Sequence, residues 1–171
     1  MVLFQEDGAA RDSVYVVRNL WHQALGLIDG LGRAYRYLPH EEEPAWVLAD
    51  RSRAGQALVN LILNAAWVTP DGGEIRVRLR RRPGLVGLAV EDDGPGIPRE
   101  IRDRVLDPFF TTKPEGEGTG LGLPVTRTIV DAHGGELAFE FPERGGTVVT
   151  VWLREAAGRD GRGTAGQAPA A

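Results

Sequence analysis

The sequence contains no cysteine, and this absence removes several classes of function at once. A disulfide framework, a thiolate metal site and a cysteine nucleophile are all excluded, and the chain is compatible with a reducing compartment. It also lacks any uninterrupted apolar run of the ~18–20 residues that span a bilayer, and its N-terminus has no signal-peptide pattern. We therefore expect a cytoplasmic segment without membrane contact.

Strong charge of either sign is also lacking, because the formal net charge is −4 over 171 residues. Nucleic acid is therefore not an expected partner, and the basic run at residues 80–82 is most simply a solvated turn. The length suits one domain with a sizeable core. We expect residues 1–12 to be a linker or the stub of a missing helical domain, residues 13–154 to be the folded domain and residues 155–171 to be a disordered tail.

Glycine, in contrast, is concentrated in one place, at alternate positions of residues 116–123, where the chain runs into an apolar helical pattern. Glycine lets backbone N–H groups approach an anion, and a following helix N-terminus adds oriented donors. We interpret the segment as an ATP-phosphate site, with a mobile glycine loop as the alternative. The P-loop lysine and the Gly-x-Gly-x-x-Gly spacing of a Rossmann turn are both missing, so a third kind of ATP site is indicated.

A predicted helix over residues 53–67 has an unusual polar stripe. Asp50 and Ser52 are candidate N-caps, and alanine, leucine and isoleucine form a core-facing row along the helix. Gln56, Asn60 and Asn64 follow at four-residue spacing on another face. Asparagine is a poor helix former, so two of them one turn apart suggest a function for their amides. A satisfied helix surface is the alternative.

A predicted strand over residues 85–91 is nearly continuous in apolar residues, which suits a buried position in a sheet. The segment 92–98 follows it directly and contains an Asp-x-Gly-x-Gly pattern. A carboxylate, Asp92, should therefore lie at the rim of the core beside glycines that leave space for a flat ligand. Structural turns also use aspartate and glycine, so this motif alone is moderately specific.

The remaining pattern predicts an α+β chain. We expect His133 to be part of an ordinary helix C-cap and His40 to be solvated. The polar, glycine-containing segment 113–118 is interpreted as a lid. Helices are predicted from Val16 to Ile28, over 99–106 and over 121–132, and strands over 34–38, 45–48, 75–79, 136–141 and 147–153.

Taken in order, these motifs resemble the N box, first glycine box, F box, second glycine box and final glycine box of sensor histidine kinases. They are Asn60-x-x-x-Asn64-Ala65, Asp92-x-Gly94-x-Gly96, Phe109-Phe110, Gly118-x-Gly120-x-Gly122 and Gly146-Thr147. The resemblance covers about residues 45–153 and is greatest to nitrogen-regulation-type kinases. It implies the GHKL (Bergerat) fold, a two-layer α/β sandwich in which about three helices cover one face of a mixed sheet, with ATP between the helices and a flexible lid.

The resemblance also implies residue roles. Asp92 would accept a hydrogen bond from the adenine amino group, with Thr147 joining that network. Asn64 would be the Mg²⁺ ligand, and Asn60, Asn64 and Lys113 would form the catalytic set, with Lys113 facing the phosphates. The other implied nucleotide contacts are Gly94, Gly96, Ile97, Phe110, Gly118, Thr119, Gly120, Leu121 and Gly122.

The chain departs from the family pattern in two places. Trp67 stands where the family usually has lysine or arginine, so one phosphate contact is expected to be missing. The phosphotransfer helices are also absent, and His22 lacks the acidic neighbour and the Arg-x-Pro of a phosphoacceptor. The implied partners are a histidine-containing dimerisation and phosphotransfer domain, in cis or in trans, and a response regulator downstream. We expect a monomer for the isolated domain and a homodimer for a full-length kinase.

Two other functions are alternatives to the kinase. GHKL ATPases place a glutamate base where this chain has Asn60, and an amide cannot take a proton from water. A non-enzymatic, nucleotide-gated binding module stays open, because it would need the same ATP site.

Overall fold

The structure, a computed structural model, describes residues 14–16 and 45–156. The first helix is α1 (Arg51–Val68), a 3-10 helix follows at Arg99–Arg104, and the second helix is α2 (Gly122–Ala132). The strands are β1 (Val14–Val16), β2 (Trp46–Leu48), β3 (Ile75–Arg82), β4 (Leu85–Asp92), β5 (Glu136–Glu140) and β6 (Thr147–Arg154).

The elements predicted within residues 45–156 are present, with ends that differ by a few residues. The short helix predicted over 99–106 has 3-10 geometry. The helix predicted from Val16 to Ile28 is wrong at its first residue, because Val16 belongs to β1 and pairs with Trp46 of β2. The rest of that helix, the strand predicted over 34–38, His22 and His40 lie outside the described residues.

The main sheet has four strands in the order β3-β4-β6-β5, and every neighbouring pair is antiparallel. The expected mixed sheet is therefore corrected to an antiparallel one over the described strands. Short connections between β3 and β4 and between β5 and β6 reverse the chain direction, which produces antiparallel neighbours. The register places Asp92 at the end of β4 opposite Thr147 at the start of β6.

Helix α1 begins and ends with hydrogen-bonded caps. The Asp50 side chain accepts a hydrogen bond from the Arg53 backbone N–H at 3.0 Å, as the sequence predicted for this candidate cap. At the other end, the Thr69 hydroxyl donates to the Ala65 carbonyl at 2.7 Å. Between the caps, the helix buries one face, made of Ala54, Ala57, Leu58, Leu61, Ile62, Ala65 and Ala66.

The core lies between the two α-helices and one face of the main sheet, so the described part is a two-layer α/β sandwich of the predicted class. Side chains on alternate positions of β3, β4 and β6 meet the helices because strand side chains alternate between faces. None of the described helices combines the length and apolarity needed to cross a membrane. The buried core includes Leu58, Leu61, Val77, Val90, Val130 and Val151.

A histidine fixes the two α-helices to each other away from the predicted site. The Asp50 backbone N–H donates to His133 Nε2 at 2.9 Å. His133 Nδ1 lies 2.7 Å from the Ile129 carbonyl oxygen, so Nδ1 carries the proton and Nε2 accepts. The residue that caps the start of α1 is thus held by the residue that ends α2.

Candidate functional site

Asp92 occupies the inner end of the site. It is the last residue of the buried strand β4, and its Oδ1 accepts a hydrogen bond from the Gly94 N–H at 2.9 Å. Burial raises the pKa of Asp92, and the adjacent Asp93 charge raises it further, while the backbone N–H groups of Gly94 and Thr147 lower it. This carboxylate is therefore a buried acceptor that a further donor would stabilise.

Two glycine loops close around this carboxylate. The Gly146 N–H donates to the Gly94 carbonyl at 2.9 Å. Gly146 has φ +79°, and a Cβ there would overlap the Asp92 carbonyl, so only glycine fits. A Cβ added at Gly94 would lie 2.8 Å from Val68 Cγ2 at the end of α1. The absence of side chains lets both loops and the helix end approach Asp92 closely.

The polar face of α1 meets the start of α2. Asn60 Nδ2 donates to the Gly122 carbonyl at 3.2 Å and to Thr126 Oγ1 at 3.4 Å. The Thr126 hydroxyl also donates to the Gly122 carbonyl, at 2.8 Å. A Cβ added at Gly122 would lie 3.6 Å from Asn64 Nδ2, so glycine keeps the space beside Asn64 free. Asn60 thus holds the glycine segment in place while Asn64 faces that space.

A lysine from the predicted lid reaches the same place. Lys113 Nζ donates to Asn64 Oδ1 at 3.4 Å and lies 5.0 Å from the centroid of the Trp67 ring. Burial lowers the pKa of Lys113. Trp67 is 42% exposed, which shows that it is not a core residue. One ammonium group is therefore held between an amide oxygen and an indole ring.

The segment that carries Lys113 packs on its own glycines. A Cβ added at Gly118 would lie 2.5 Å from Thr111 Oγ1 and 2.8 Å from Lys113 Cβ. The Phe109 N–H donates to the Gly120 carbonyl at 3.0 Å. These contacts fold residues 109–120 into one turn-rich unit directly before α2.

The other predicted site residues lie around this unit. Phe110 is half-buried, with the Arg104 guanidinium 4.4 Å from its ring centroid. Thr119 is exposed, and its hydroxyl accepts from the Leu121 N–H at 3.3 Å. The carbonyl of Ile97, the residue after Gly96, accepts a hydrogen bond from Arg102 Nε at 2.9 Å. In this structure these three residues contact neighbouring residues of the protein itself.

Helix α1 connects the two ends of the site. Asn60, Asn64 and Val68 follow at four-residue spacing and meet α2, Lys113 and Gly94 in turn. Eight residues of helix extend about 12 Å at ~1.5 Å per residue. The structure therefore brings the buried carboxylate, the asparagines, the lid lysine and the glycine segment into one row along α1, which we call the groove.

The donors in this groove suit a cation that arrives with phosphates. The described residues hold no group of three or more histidine, cysteine, aspartate or glutamate side chains able to bind a metal by themselves. Asn64 Oδ1 is a hard oxygen donor on a half-buried side chain, and Mg²⁺ is commonly bound by one or two protein oxygens together with substrate phosphates. Asn64 thus fits the Mg²⁺ of a metal–nucleotide complex.

Two residues of this groove, Thr126 and Val68, and one contact between residues already singled out were not predicted from the sequence. Thr126 stands one turn after Gly122 in an apolar helix, and that position could have been noticed because its hydroxyl can reach back by four residues. Val68, against Gly94, extends the asparagine spacing by one turn. The contact between Trp67 and Lys113 had no sequence signal, because it joins a helix to a distant loop.

Comparison with known proteins places the chain in a family. The family model described as "Histidine kinase-, DNA gyrase B-, and HSP90-like ATPase" matches residues 49–157. The sensor histidine kinase ZraS of Escherichia coli K12 is 40% identical over 107 residues, which are 63% of this chain and 23% of ZraS. Sporulation kinase A of Bacillus subtilis 168 is 36% identical over 107 residues, 62% of this chain and 17% of that kinase.

Solved structures give the same family. The nucleotide-free catalytic domain of histidine kinase ThkA is 32% identical, with a TM-score of 0.73, covering 84% of this chain and 95% of that one. The mycobacterial sensor histidine kinase MprB has a TM-score of 0.73 at 29% identity, covering 84% and 97%. The resemblance to sensor histidine kinases and the fold class predicted from the sequence are both confirmed. The chain spans less than a quarter of the length of the curated relatives it matches.

Proposed function

The chain belongs to the family of histidine kinase-, DNA gyrase B- and HSP90-like ATPases and carries the catalytic ATP-binding domain of sensor histidine kinases, and on that premise we propose that it transfers the γ-phosphoryl group of Mg·ATP to a histidine on a separate helical domain. Residues 13–154 form the catalytic unit in this proposal. A response regulator is the downstream acceptor, and the full-length kinase is a cytoplasmic homodimer.

One observation carries the proposal: the two ends of the groove along α1 present different chemical groups. At one end Asp92 is a buried carboxylate that accepts hydrogen bonds from the backbone N–H groups of Gly94, at 2.9 Å, and Thr147. At the other end Asn64 and Lys113 bring an amide oxygen and an ammonium group within 3.4 Å of each other. A purine with an exocyclic amine suits the first end, and a polyphosphate with its cation suits the second.

Each residue then has a distinct part in the proposed reaction. Asp92 accepts a hydrogen bond from the adenine amino group, and Thr147 supports it from the neighbouring strand. Asn64 would hold the Mg²⁺, which supplies neutralisation of charge on the phosphate oxygens. Lys113 adds a second positive charge there, while Asn60 keeps Gly122 and α2 in position. Catalysis is therefore positioning and electrostatic stabilisation.

The contacts of Asn60 favour the kinase over an ATPase. Its amide nitrogen donates to Gly122 and Thr126, which is a structural function. An amide has no basic site with which to activate water. An ATPase would need a general base at this position, whereas Asn60 here holds the start of α2 in place. We therefore expect phosphoryl transfer to a protein histidine in preference to steady hydrolysis.

Radiolabelled ATP tests this proposal. The 171-residue chain, incubated with Mg²⁺ and γ-labelled ATP, should bind the nucleotide but remain unlabelled, because the phosphoacceptor belongs to another domain. The full-length gene product should acquire acid-labile phosphate, and Asn64→Ala should abolish that label. Acid-labile phosphate on the chain alone that disappears in His22→Ala would contradict the separation of catalytic and acceptor domains.

A further inference from the structure

Trp67 is an exposed aromatic residue in a position where its ring contacts a charge. It lies in the last turn of α1 and is 42% exposed. The Lys113 ammonium lies 5.0 Å from the ring centroid, within the ~6 Å over which cation–π attraction acts. A large apolar side chain with this exposure is not explained by packing in the core.

The ammonium that contacts this ring is also directed at the metal ligand of the proposed function. Lys113 Nζ is 3.4 Å from Asn64 Oδ1. The start of its side chain is confined by the lid, where Gly118 leaves no room for a Cβ. The indole, the amide oxygen and the lid glycine together fix one rotamer of a side chain that otherwise has many.

We propose that Trp67 is a positioning residue for the polyphosphate: its indole ring holds the Lys113 ammonium over Asn64, so that a lid residue supplies the positive charge that α1 itself lacks at this point. The inference rests on the proposed function and deepens it, because it assigns the recognition of phosphate to a pair of residues from two elements. Trp67 thereby acts through Lys113 and touches no reacting atom.

The pair makes a distinctive prediction about ligands. Adenosine has no phosphates, so loss of an ordered ammonium should leave its affinity unchanged. ATP should lose affinity, because the lysine must then be ordered during binding at an entropic cost. If Trp67 had only a structural function, replacing it would lower the stability of the protein and weaken the binding of ATP and of adenosine alike.

Calorimetric titration with ATP and with adenosine, both in Mg²⁺, tests the pair. We expect Trp67→Leu to weaken ATP about two- to fivefold, the equivalent of an exposed cation–π contact, without weakening adenosine. Trp67→Phe keeps a ring and should recover most of the loss. Leu63→Ala is the matched control, since Leu63 is 40% exposed on the same helix, and it should change neither ligand.

A double-mutant cycle with Lys113→Met completes the experiment. In the Lys113→Met background, Trp67→Leu should cause no further loss of ATP affinity. Full additivity of the two changes, or an unchanged ratio of ATP to adenosine affinity in Trp67→Leu, would overturn the inference and leave the proposed function standing. Failure of the unaltered chain to bind ATP at all would refute the proposed function and the inference with it.

Discussion

In the proposed function, recognition of the base depends on Asp92. It is buried at the end of β4, and its side chain accepts from the Gly94 N–H at 2.9 Å. Replacement by alanine should remove the acceptor for the adenine amino group and leave the Gly94 donor unpaired. A charge-assisted hydrogen bond contributes about 1.5–3 kcal/mol, so calorimetry should show ATP affinity reduced tenfold or more in Asp92→Ala.

The fold should survive this change, because the alanine methyl group fits within the space of the carboxylate. Asp103→Ala, in the exposed part of the 3-10 helix, is the control and should bind ATP as the unaltered chain does. Equal ATP affinity in Asp92→Ala and in this control would show that the base binds elsewhere.

The same residue predicts a pH dependence of stability. Burial raises the pKa of Asp92 above its ordinary value of 3.8 in the folded, ligand-free protein. The folded state therefore binds this proton more readily than the unfolded chain does, and the stabilisation is fully present below 3.8 and is lost as the pH rises through the raised pKa.

Chemical denaturation of the ligand-free chain and of Asp92→Asn measures this effect. The free energy of unfolding of the unaltered chain, minus that of Asp92→Asn, should fall as the pH rises from 3.8 through the raised pKa of Asp92. A difference that is flat, or that increases with pH, would show that burial does not govern this carboxylate.

The positions of single residues were predictable where one element determines them. Asp92 follows an apolar run that suits a buried strand, and Asn60 and Asn64 share a helix face by their spacing. The contact of Lys113 with Trp67 was not predictable, because it depends on the path of the chain between residues 109 and 120. That path is set by backbone contacts such as the one between Phe109 and Gly120.

Among the elements, α1 determines the length of the site. Its asparagines and Val68 lie one turn apart, and each turn meets a different part of the protein. The sequence predicted the helix and its polar stripe, because both are properties of periodicity. It did not predict which residues contact this stripe, because α2 and the glycine loops come close to α1 only in the folded domain.

The connection between α1 and α2 leads to a prediction about stability. His133 accepts from the Asp50 N–H at 2.9 Å and donates to Ile129, so it joins the start of one helix to the end of the other. His133→Ala should leave the Asp50 N–H without its partner, at a cost of about 1–2 kcal/mol. Denaturant titration should show this loss.

Asp131→Ala is the matched control for the histidine. It removes an exposed ion pair with Arg127 at 2.9 Å, near the same helix end. Exposed pairs contribute about 0.2–1 kcal/mol, so its effect should be clearly smaller. If His133→Ala were no more destabilising than Asp131→Ala, the interhelical hydrogen bond would not contribute to the fold.

The sequence predicted the strands of the sheet but not how all of them pair. The predicted strands from residue 45 onward are present, because turn residues bound them. The family resemblance implied a mixed sheet, but the described strands pair only in antiparallel fashion, since β6 returns from β5 through a short turn and lies beside β4. Pairing of strands distant in sequence is determined by packing against the helices, which periodicity does not encode.

The site exists only as an assembly of groups from several elements. Asp92 comes from the sheet, Asn64 from α1, and Lys113 from the lid before α2. No one of these elements could bind a nucleotide separately, and the hydrophobic core between helices and sheet holds them at the required separation. We therefore expect this assembly, and no single element of it, to bind ATP as its magnesium complex.

Calorimetric titration of the chain with ATP, once in Mg²⁺ and once in a chelator of divalent cations, measures whether binding depends on the metal. We expect saturable one-to-one binding in Mg²⁺ that weakens by at least tenfold in the chelator, and we expect Asn64→Ala in Mg²⁺ to resemble the chelated chain. ATP binding of equal strength with and without Mg²⁺, or no binding under either condition, would show that the assembly is not a site for the magnesium complex of ATP.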